Sequence, residues 1–289
     1  MESGNGETVV RDSVQIELIR RVVSEFSLEG KTAIVTGAAG AKGIGRATAL
    51  KLAEAGADVV AADVHLTGQD YNLEETAEAV RKLGRRSLAL KVDISDENSV
   101  NNLIEQTVKE FGTIDIVVNN AGVGAMVKSL EIDRAYWDRM MDINVRGCHF
   151  CCLAAGRVMK EKKKGSIINI SSISGMKYSP NQYVYGVSKA ANRFITIWLA
   201  KEFIPYNVRV NCIAPGIVET EINAHDLARQ IKVDHATGTG LPPRPGGGAF
   251  PQGRVCQPQD VANVALFLAS DASSYVSGQV IVVDGGVSV

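Results

Sequence analysis

Short uninterrupted apolar runs alternate with longer amphipathic stretches from residue 31 to the end of the chain. Thr32-Ala33-Ile34-Val35-Thr36 carries no charge and predicts a strand buried on both faces, followed by a glycine-rich turn and a helix through about Ala55. The same alternation predicts strands over 58–63, 87–93, 114–119, 166–171, 208–213 and 279–283. Between them it predicts helices over about 73–83, 96–111, 133–162 and 258–269, and another that carries Tyr185 and Lys189 and runs to about Phe203. Continuously apolar strands separated by helices mean a parallel sheet covered on both faces. The predicted class is α/β, a doubly wound parallel sheet in a single domain over residues 28–289. Ligands of such sheets bind outside the carboxyl ends of the strands, near the switch point of the strand order.

Two stretches depart from this alternation. In residues 1–27, Val14, Leu18, Ile19, Val22, Val23 and Phe26 fall at helical spacing and predict an N-terminal extension with a short amphipathic helix. Glu7, Asp12, Glu17 and Glu25 make it too acidic for a transit peptide. Residues 221–257 include Gly238-Thr239-Gly240-Leu241-Pro242-Pro243-Arg244-Pro245-Gly246-Gly247-Gly248, a density of glycine and proline that does not hold regular structure. A loop of that length after the sixth strand predicts a substrate lid.

Composition narrows the partners. With 289 residues, 45% of them hydrophobic, and a net charge of -1, the chain can bury a large core and has no excess charge for nucleic acid. The basic run Lys160 to Lys164 falls where a helix ends, and cations there complement the helix dipole. Cys148, Cys151 and Cys152 cluster in an apolar stretch and read as small buried hydrophobes; His149 alone beside them does not make a zinc site. The cysteines suggest no disulfide framework, and no apolar run reaches the roughly 20 residues that span a bilayer. The expectation is a cytoplasmic protein with a small-molecule substrate and neither a nucleic-acid nor a membrane partner.

The first strand runs into Thr36-Gly37-Ala38-Ala39-Gly40-Ala41-Lys42-Gly43-Ile44-Gly45-Arg46 and then a helix. Glycines at such a turn admit a pyrophosphate close to the backbone, and the helix offers free N–H groups and the positive end of its dipole, as in the Rossmann fold. Asp63 ends the second strand eighteen residues after Gly45, where a carboxylate accepts hydrogen bonds from ribose hydroxyls and repels a 2′-phosphate. Lys42 points the other way, since a cation there suits a 2′-phosphate. The fixed carboxylate is given the greater weight, so NAD is expected, with NADP as the alternative.

Tyr185 and Lys189 lie one helical turn apart, and Ser172 lies thirteen residues before Tyr185. A phenol ordinarily titrates at about pH 10, and a neighbouring ammonium favours its ionised form, which makes the pair a candidate acid/base. The spacing alone is common in helices. The surrounding frame is not: Asn119-Asn120-Ala121-Gly122, Asn144 in Asn144-Val145-Arg146-Gly147, Ser172, Tyr185 with Lys189, Pro215-Gly216, and Asp284-Gly285-Gly286 follow the glycine turn in order. With these motifs the chain resembles the short-chain dehydrogenase/reductase family over residues 28–289. One departure is that five residues, not three, separate Gly37 from the next motif glycine, Gly43. A longer turn of this kind is similar to that of polyol and sugar reductases in the family, many of which prefer NADP. Enoyl reductases share the longer turn but space their tyrosine and lysine more widely.

The resemblance implies a hydride transfer between a nicotinamide and a secondary alcohol or ketone. It implies Tyr185 as the general acid/base, Lys189 as the charge that assists it and holds the nicotinamide ribose, Ser172 as a hydrogen-bond partner of the substrate oxygen, and Asn144 as the holder of a water that links Lys189 to solvent. It also implies that Gly37, Lys42, Gly43, Ile44 and Gly45 face the pyrophosphate and ribose, that Asp93 and Ile94 flank the adenine, and that Asn120, Ala121 and Gly122 line the adenosine side. Pro215, Gly216, Ile217, Val218 and Thr220 would hold the carboxamide. Tyr178, Tyr183, Met176 and the residues after Ala125 are candidates for the substrate pocket. A homotetramer or homodimer is implied, with the helices carrying Cys148 and Tyr185 at an interface. The substrate is expected to be neutral and partly hydrophobic. Two other readings remain: a non-redox relative (dehydratase, epimerase or cyclase) and a nucleotide-sensing regulator on the same fold.

Overall fold

The computed structural model describes residues 24–68, 71–220 and 251–289. Of the predicted N-terminal extension over 1–27 and the predicted lid over 221–257, residues 1–23 and 221–250 lie outside the described residues. The strands are β1 (Thr32–Thr36), β2 (Asp58–Asp63), β3 (Ser87–Lys91), β4 (Ile116–Asn119), β5 (Gly165–Ile170), β6 (Val208–Pro215) and β7 (Val280–Val283). The helices are α1 (Ile44–Glu54), α2 (Leu73–Lys82), α3 (Glu97–Phe111), α4 (Arg134–Met141), α5 (Cys148–Lys162), α6 (Tyr183–Phe203) and α7 (Pro258–Ala269).

All seven strands are parallel, in the order β3-β2-β1-β4-β5-β6-β7. The chain winds outward from β1 to β3, then returns to lay β4 on the other side of β1. That reversal opens a crevice between the carboxyl ends of β1 and β4.

Strand side chains divide by the period of two. Ala33, Val35, Val59, Ala61, Ile116, Val118, Ile168 and Ile213 pack with Leu52 of α1, Leu73 and Val80 of α2, and Val261, Ala265 and Leu268 of α7. Ile34, Val60, Val117, Ile167 and Val210 face the other way, onto Val100 and Leu103 of α3, Cys152 and Met159 of α5, and Leu199 of α6. Leu52, Ile167 and Leu268 are fully buried, which at about 1.5–3 kcal/mol per side chain makes these layers the main stabilising term. The helices start where capping chemistry allows. The side chain of Asn72 accepts from the Glu75 N–H at α2, Asp96 accepts from Asn98 at α3, and Gln257 and Asp260 form a reciprocal box around Pro258 at α7. Gly112, at φ +80°, ends α3.

The predicted helix over 133–162 is interrupted. Asp142–Gly147 forms a π-helical turn between α4 and α5, with Asn144 inside it. One extra residue per turn lets a side chain leave the regular ladder, and such turns recur at functional sites. β3 stops at Lys91 and β4 starts only at Ile116, shorter than the apolar runs implied. The two chain ends that flank residues 221–250 are joined: Val218 pairs with Cys256, and the Glu219 N–H donates to the Cys256 carbonyl at 2.9 Å.

Candidate active site

The site lies where the carboxyl ends of β1, β4, β5 and β6 converge. Gly37 follows β1 at φ +68°, and a Cβ there would stand 2.7 Å from the Ala121 Cα and from Asn120 Nδ2. A Cβ on Gly45 would stand 2.1 Å from the Gly37 carbonyl oxygen, so the first turn of α1 can approach β1 only without a side chain. Asn120 stitches this turn to β4. Its Nδ2 donates to the carbonyls of Thr36 and Gly37 at 3.0 Å, while Thr36 Oγ1 accepts from the N–H groups of Asn120 and Ala121 at 3.1 Å. Gly43 precedes α1 with no side-chain cap, and the first turn holds no acidic residue. Uncapped N–H groups at a glycine cradle are suited to a pyrophosphate, so the residues present fit a dinucleotide.

The lengthened turn has a structural role. Gly43 N–H closes onto the Gly40 carbonyl at 3.0 Å, Gly40 bridges to Tyr71, and Asn72 N–H donates to Ala39 at 2.9 Å. The extra residues thus bind the segment that follows β2. Asp63 receives one backbone N–H on each oxygen, Ala39 on Oδ2 and His65 on Oδ1, both at 3.0 Å. Lys42 is exposed. Asp93 is turned to its own loop, where Oδ1 accepts from the N–H and hydroxyl of Ser95. Ile94 is buried over Gly147, where a Cβ would meet its Cδ1 at 2.7 Å.

At the other end, Lys189 is buried on α6, and its Nζ donates to the Ile170 carbonyl at 3.0 Å. The ammonium lies 5.6 Å from the Tyr185 ring centroid and 3.4 Å from where a Cβ on Gly122 would stand. The Ser171 hydroxyl donates to the Lys189 carbonyl at 2.7 Å, and Ser172 Oγ accepts from the Ser174 N–H at 3.1 Å, which fixes the turn after β5. Gly175 and Gly186 let that turn press on α6: Cβ atoms there would meet the Ala190 nitrogen at 2.7 Å and the Ser174 carbonyl at 2.6 Å.

Asn144 does something the sequence reading missed. Its Oδ1 accepts from the Val123 N–H and its Nδ2 donates to the Val123 carbonyl, both at 2.8 Å, and Nδ2 also reaches Ser188 Oγ at 3.0 Å. The carboxamide therefore pairs with Val123 as a neighbouring strand would, and ties the segment after β4 to α6. Ser188 in turn donates to the Tyr185 carbonyl at 2.7 Å. Gly124, Tyr136 and Ser188 also escaped the sequence reading, although Gly124 sits two residues beyond a recognised motif. On the β6 side, the Gly216 N–H donates to Val283 at 2.9 Å, and a Cβ on Gly216 would stand 2.8 Å from the Asp284 Cβ. Val218 and Thr220 are buried. Beneath Lys189, burial keeps the Cys212 thiol protonated, pushed up to about 11, and a contact with Cys152 together with burial raises Cys148.

Comparison with known proteins agrees with this architecture. A family model described as enoyl-(acyl carrier protein) reductase matches residues 37–288. The chain belongs to the short-chain dehydrogenase/reductase family. It is 35% identical to a 3-oxoacyl-(acyl-carrier-protein) reductase of Thermotoga maritima, covering 90% of this chain and 98% of that one. It is 36% identical to a cyclohexanol dehydrogenase of Rhodococcus, covering 92% and 99%. The crystal structure of a short-chain type dehydrogenase/reductase from Mycobacterium marinum superposes with a TM-score of 0.82 at 33% identity, covering 92% and 98%. As a member of this family the chain is a nicotinamide-dependent oxidoreductase of alcohol and ketone groups. The non-redox and nucleotide-sensing alternatives are set aside. No helix among the described residues is long and apolar enough to cross a membrane.

Proposed function

We propose that Tyr185 transfers the proton in an NAD-linked oxidation of a neutral secondary alcohol, or in the reverse reduction. The observation that carries this reading is the seat of Lys189, whose ammonium is held by Ile170 and stands 5.6 Å from the Tyr185 ring. A nicotinamide bound across the crevice supplies or accepts the hydride. Tyr185 takes the hydroxyl proton in oxidation and returns it in reduction, with the Lys189 ammonium beside its ring. Ser172, on the turn held against α6, donates its hydroxyl proton to the substrate oxygen as charge develops there. Asn144 holds Val123 and Ser188 in register.

On the cofactor side, Gly37, Gly43, Ile44 and Gly45 receive the pyrophosphate, and Lys42 lies at its edge. Asn120, Ala121, Gly122, Asp93 and Ile94 line the adenosine half. Pro215, Gly216, Val218 and Thr220 face the nicotinamide. Asp63 favours NAD over NADP, because two backbone donors fix its charge where a 2′-phosphate would sit. Two of its four lone-pair positions remain for ribose hydroxyls. Residues 221–257 act as the substrate lid. Met176, Tyr178 and Tyr183 are exposed beside the site and suit an apolar, ring-bearing substrate. Phe194, Ile197 and Trp198 leave apolar surface on α6, which supports a homodimer or homotetramer through that helix. The free cysteines among the described residues suit a reducing cytoplasm.

The test is nicotinamide absorbance with purified protein, NAD⁺ or NADP⁺, and a panel of secondary alcohols that includes cyclohexanol. Reduction of NAD⁺ by a neutral cyclic alcohol supports the reading. A preference for NADP⁺, or turnover confined to charged substrates, refutes the corresponding part.

A further inference from the structure

We infer that residues 123–127 form a rigid shelf that seats the Tyr185 ring, with Gly124 and Tyr136 as positioning residues. This rests on the acid/base role proposed for Tyr185. Three alternate residues of the segment are pinned from three different elements. Val123 is paired with Asn144 of the π-helical turn, the Ala125 carbonyl accepts from the Tyr136 hydroxyl of α4 at 3.1 Å, and the Val127 N–H donates to the Asn181 carbonyl at 2.8 Å. Burial raises the Tyr136 hydroxyl, which keeps it a donor throughout the working pH range.

Gly124 sits between the first two pins. Its φ is not in the left-handed region, so the backbone does not demand glycine there. The ring does. A Cβ on Gly124 would stand 3.2 Å from Cε2 and 3.3 Å from Cδ2 of Tyr185. Because the shelf is held at three points, the ring is the partner that gives when a methyl group is added. The Lys189 ammonium stands 5.6 Å from the ring centroid and close to Gly122, so a displaced ring changes its distance from the ammonium. The shelf thus sets both the position of the phenol and its distance from the Lys189 ammonium.

Gly124→Ala and Tyr136→Phe in the full chain test this, beside the parent and Tyr185→Phe, with NAD⁺, NADH and a secondary alcohol that the parent oxidises. For Gly124→Ala, kcat falls about tenfold or more, while the NADH dissociation constant and the alcohol KM stay within about twofold. The pH of half-maximal kcat moves by about half a unit or more. Ultraviolet titration of the phenolate, taken as the difference from Tyr185→Phe, moves in step and needs no substrate. Tyr136→Phe removes a pin without adding an atom and moves the same profile in the same direction by less. A folded Gly124→Ala with the parent's kcat and pH profile overturns the inference. If Gly124→Ala does not fold, an unchanged profile in Tyr136→Phe overturns it. A parent that oxidises no alcohol refutes the acid/base reading instead, and the titration still decides whether the shelf seats the ring.

Discussion

Asp63 Oδ2 accepts the backbone N–H of Ala39 at 3.0 Å, across 24 residues of sequence. The carboxylate at the end of β2 is therefore part of the glycine turn, and its charge is held in place beside that turn.

This predicts a cofactor switch that separates charge from geometry. Asp63→Asn keeps an oxygen for the Ala39 N–H and loses the charge and the acceptor for the His65 N–H, while Asp63→Ala loses the charge and both acceptors. The ratio of kcat/KM for NAD over NADP should fall about tenfold or more in each, since like-charge repulsion in a site amounts to several kcal/mol. Asp63→Ala should lower the thermal midpoint further than Asp63→Asn does. Steady-state kinetics with both cofactors checks this, and an unchanged ratio in Asp63→Asn would assign the discrimination elsewhere.

Tyr185→Phe keeps the ring against Gly124 and removes only the hydroxyl. Its kcat should fall about 10²- to 10⁴-fold, the usual share of a general acid/base, with the NADH dissociation constant unchanged. Fluorescence titration alongside turnover measures the two together.

Asn144→Ala strips partners from the Val123 N–H and carbonyl and from Ser188. Leaving buried polar groups unpaired should destabilise the protein by about 2–4 kcal/mol and lower kcat more than it raises the cofactor dissociation constant. Thermal unfolding and kinetics on the same preparation test it. A stable variant with full activity would reduce Asn144 to a helix irregularity.

Gly45→Ala cannot be accommodated without displacing the Gly37 carbonyl, given the 2.1 Å approach. Nucleotide affinity should drop sharply while the β6 and α6 side of the fold persists. Isothermal titration with NADH and circular dichroism distinguish loss of binding from loss of structure.

Asp260 gives a pH-dependent signature. Its hydrogen bond to Arg254, with a backbone bond from Gln257, lowers its carboxyl from 3.8 to about 2. The lowered group contributes stability above its unfolded value and loses it as pH falls through the folded one. The thermal midpoint of Asp260→Asn should therefore lie below the parent's at neutral pH. The gap should close between about pH 4 and pH 2. A gap that does not change with pH would mean that the cap acts through geometry alone.

The sheet was legible because each strand is built on a short apolar run, and the two faces follow from the period of two at positions such as Val35 and Ile34. Tyr185, Lys189 and Asp63 could be found because their chemistry sits at fixed offsets from helix turns and strand ends. The π-helical turn at Asn144 could not, since an extra residue in a helical turn leaves the apolar periodicity almost intact. The pairing of Asn144 with Val123 spans 21 residues, and no local pattern encodes it. The contact of Gly124 with Tyr185 was hidden for a different reason: it depends on an absent atom, and glycine ordinarily signals a turn rather than a neighbour.

The bridge from Val218 to Cys256 closes the span between them with a single rung beside the sheet. Loop-closure entropy grows only slowly with length, so the enclosed span can lengthen, shorten or be exchanged with little penalty to the frame. With the lid role proposed for this span, substrate range can diverge faster than hydride and proton transfer, and grafting it between relatives is a route to new alcohols on an unchanged engine.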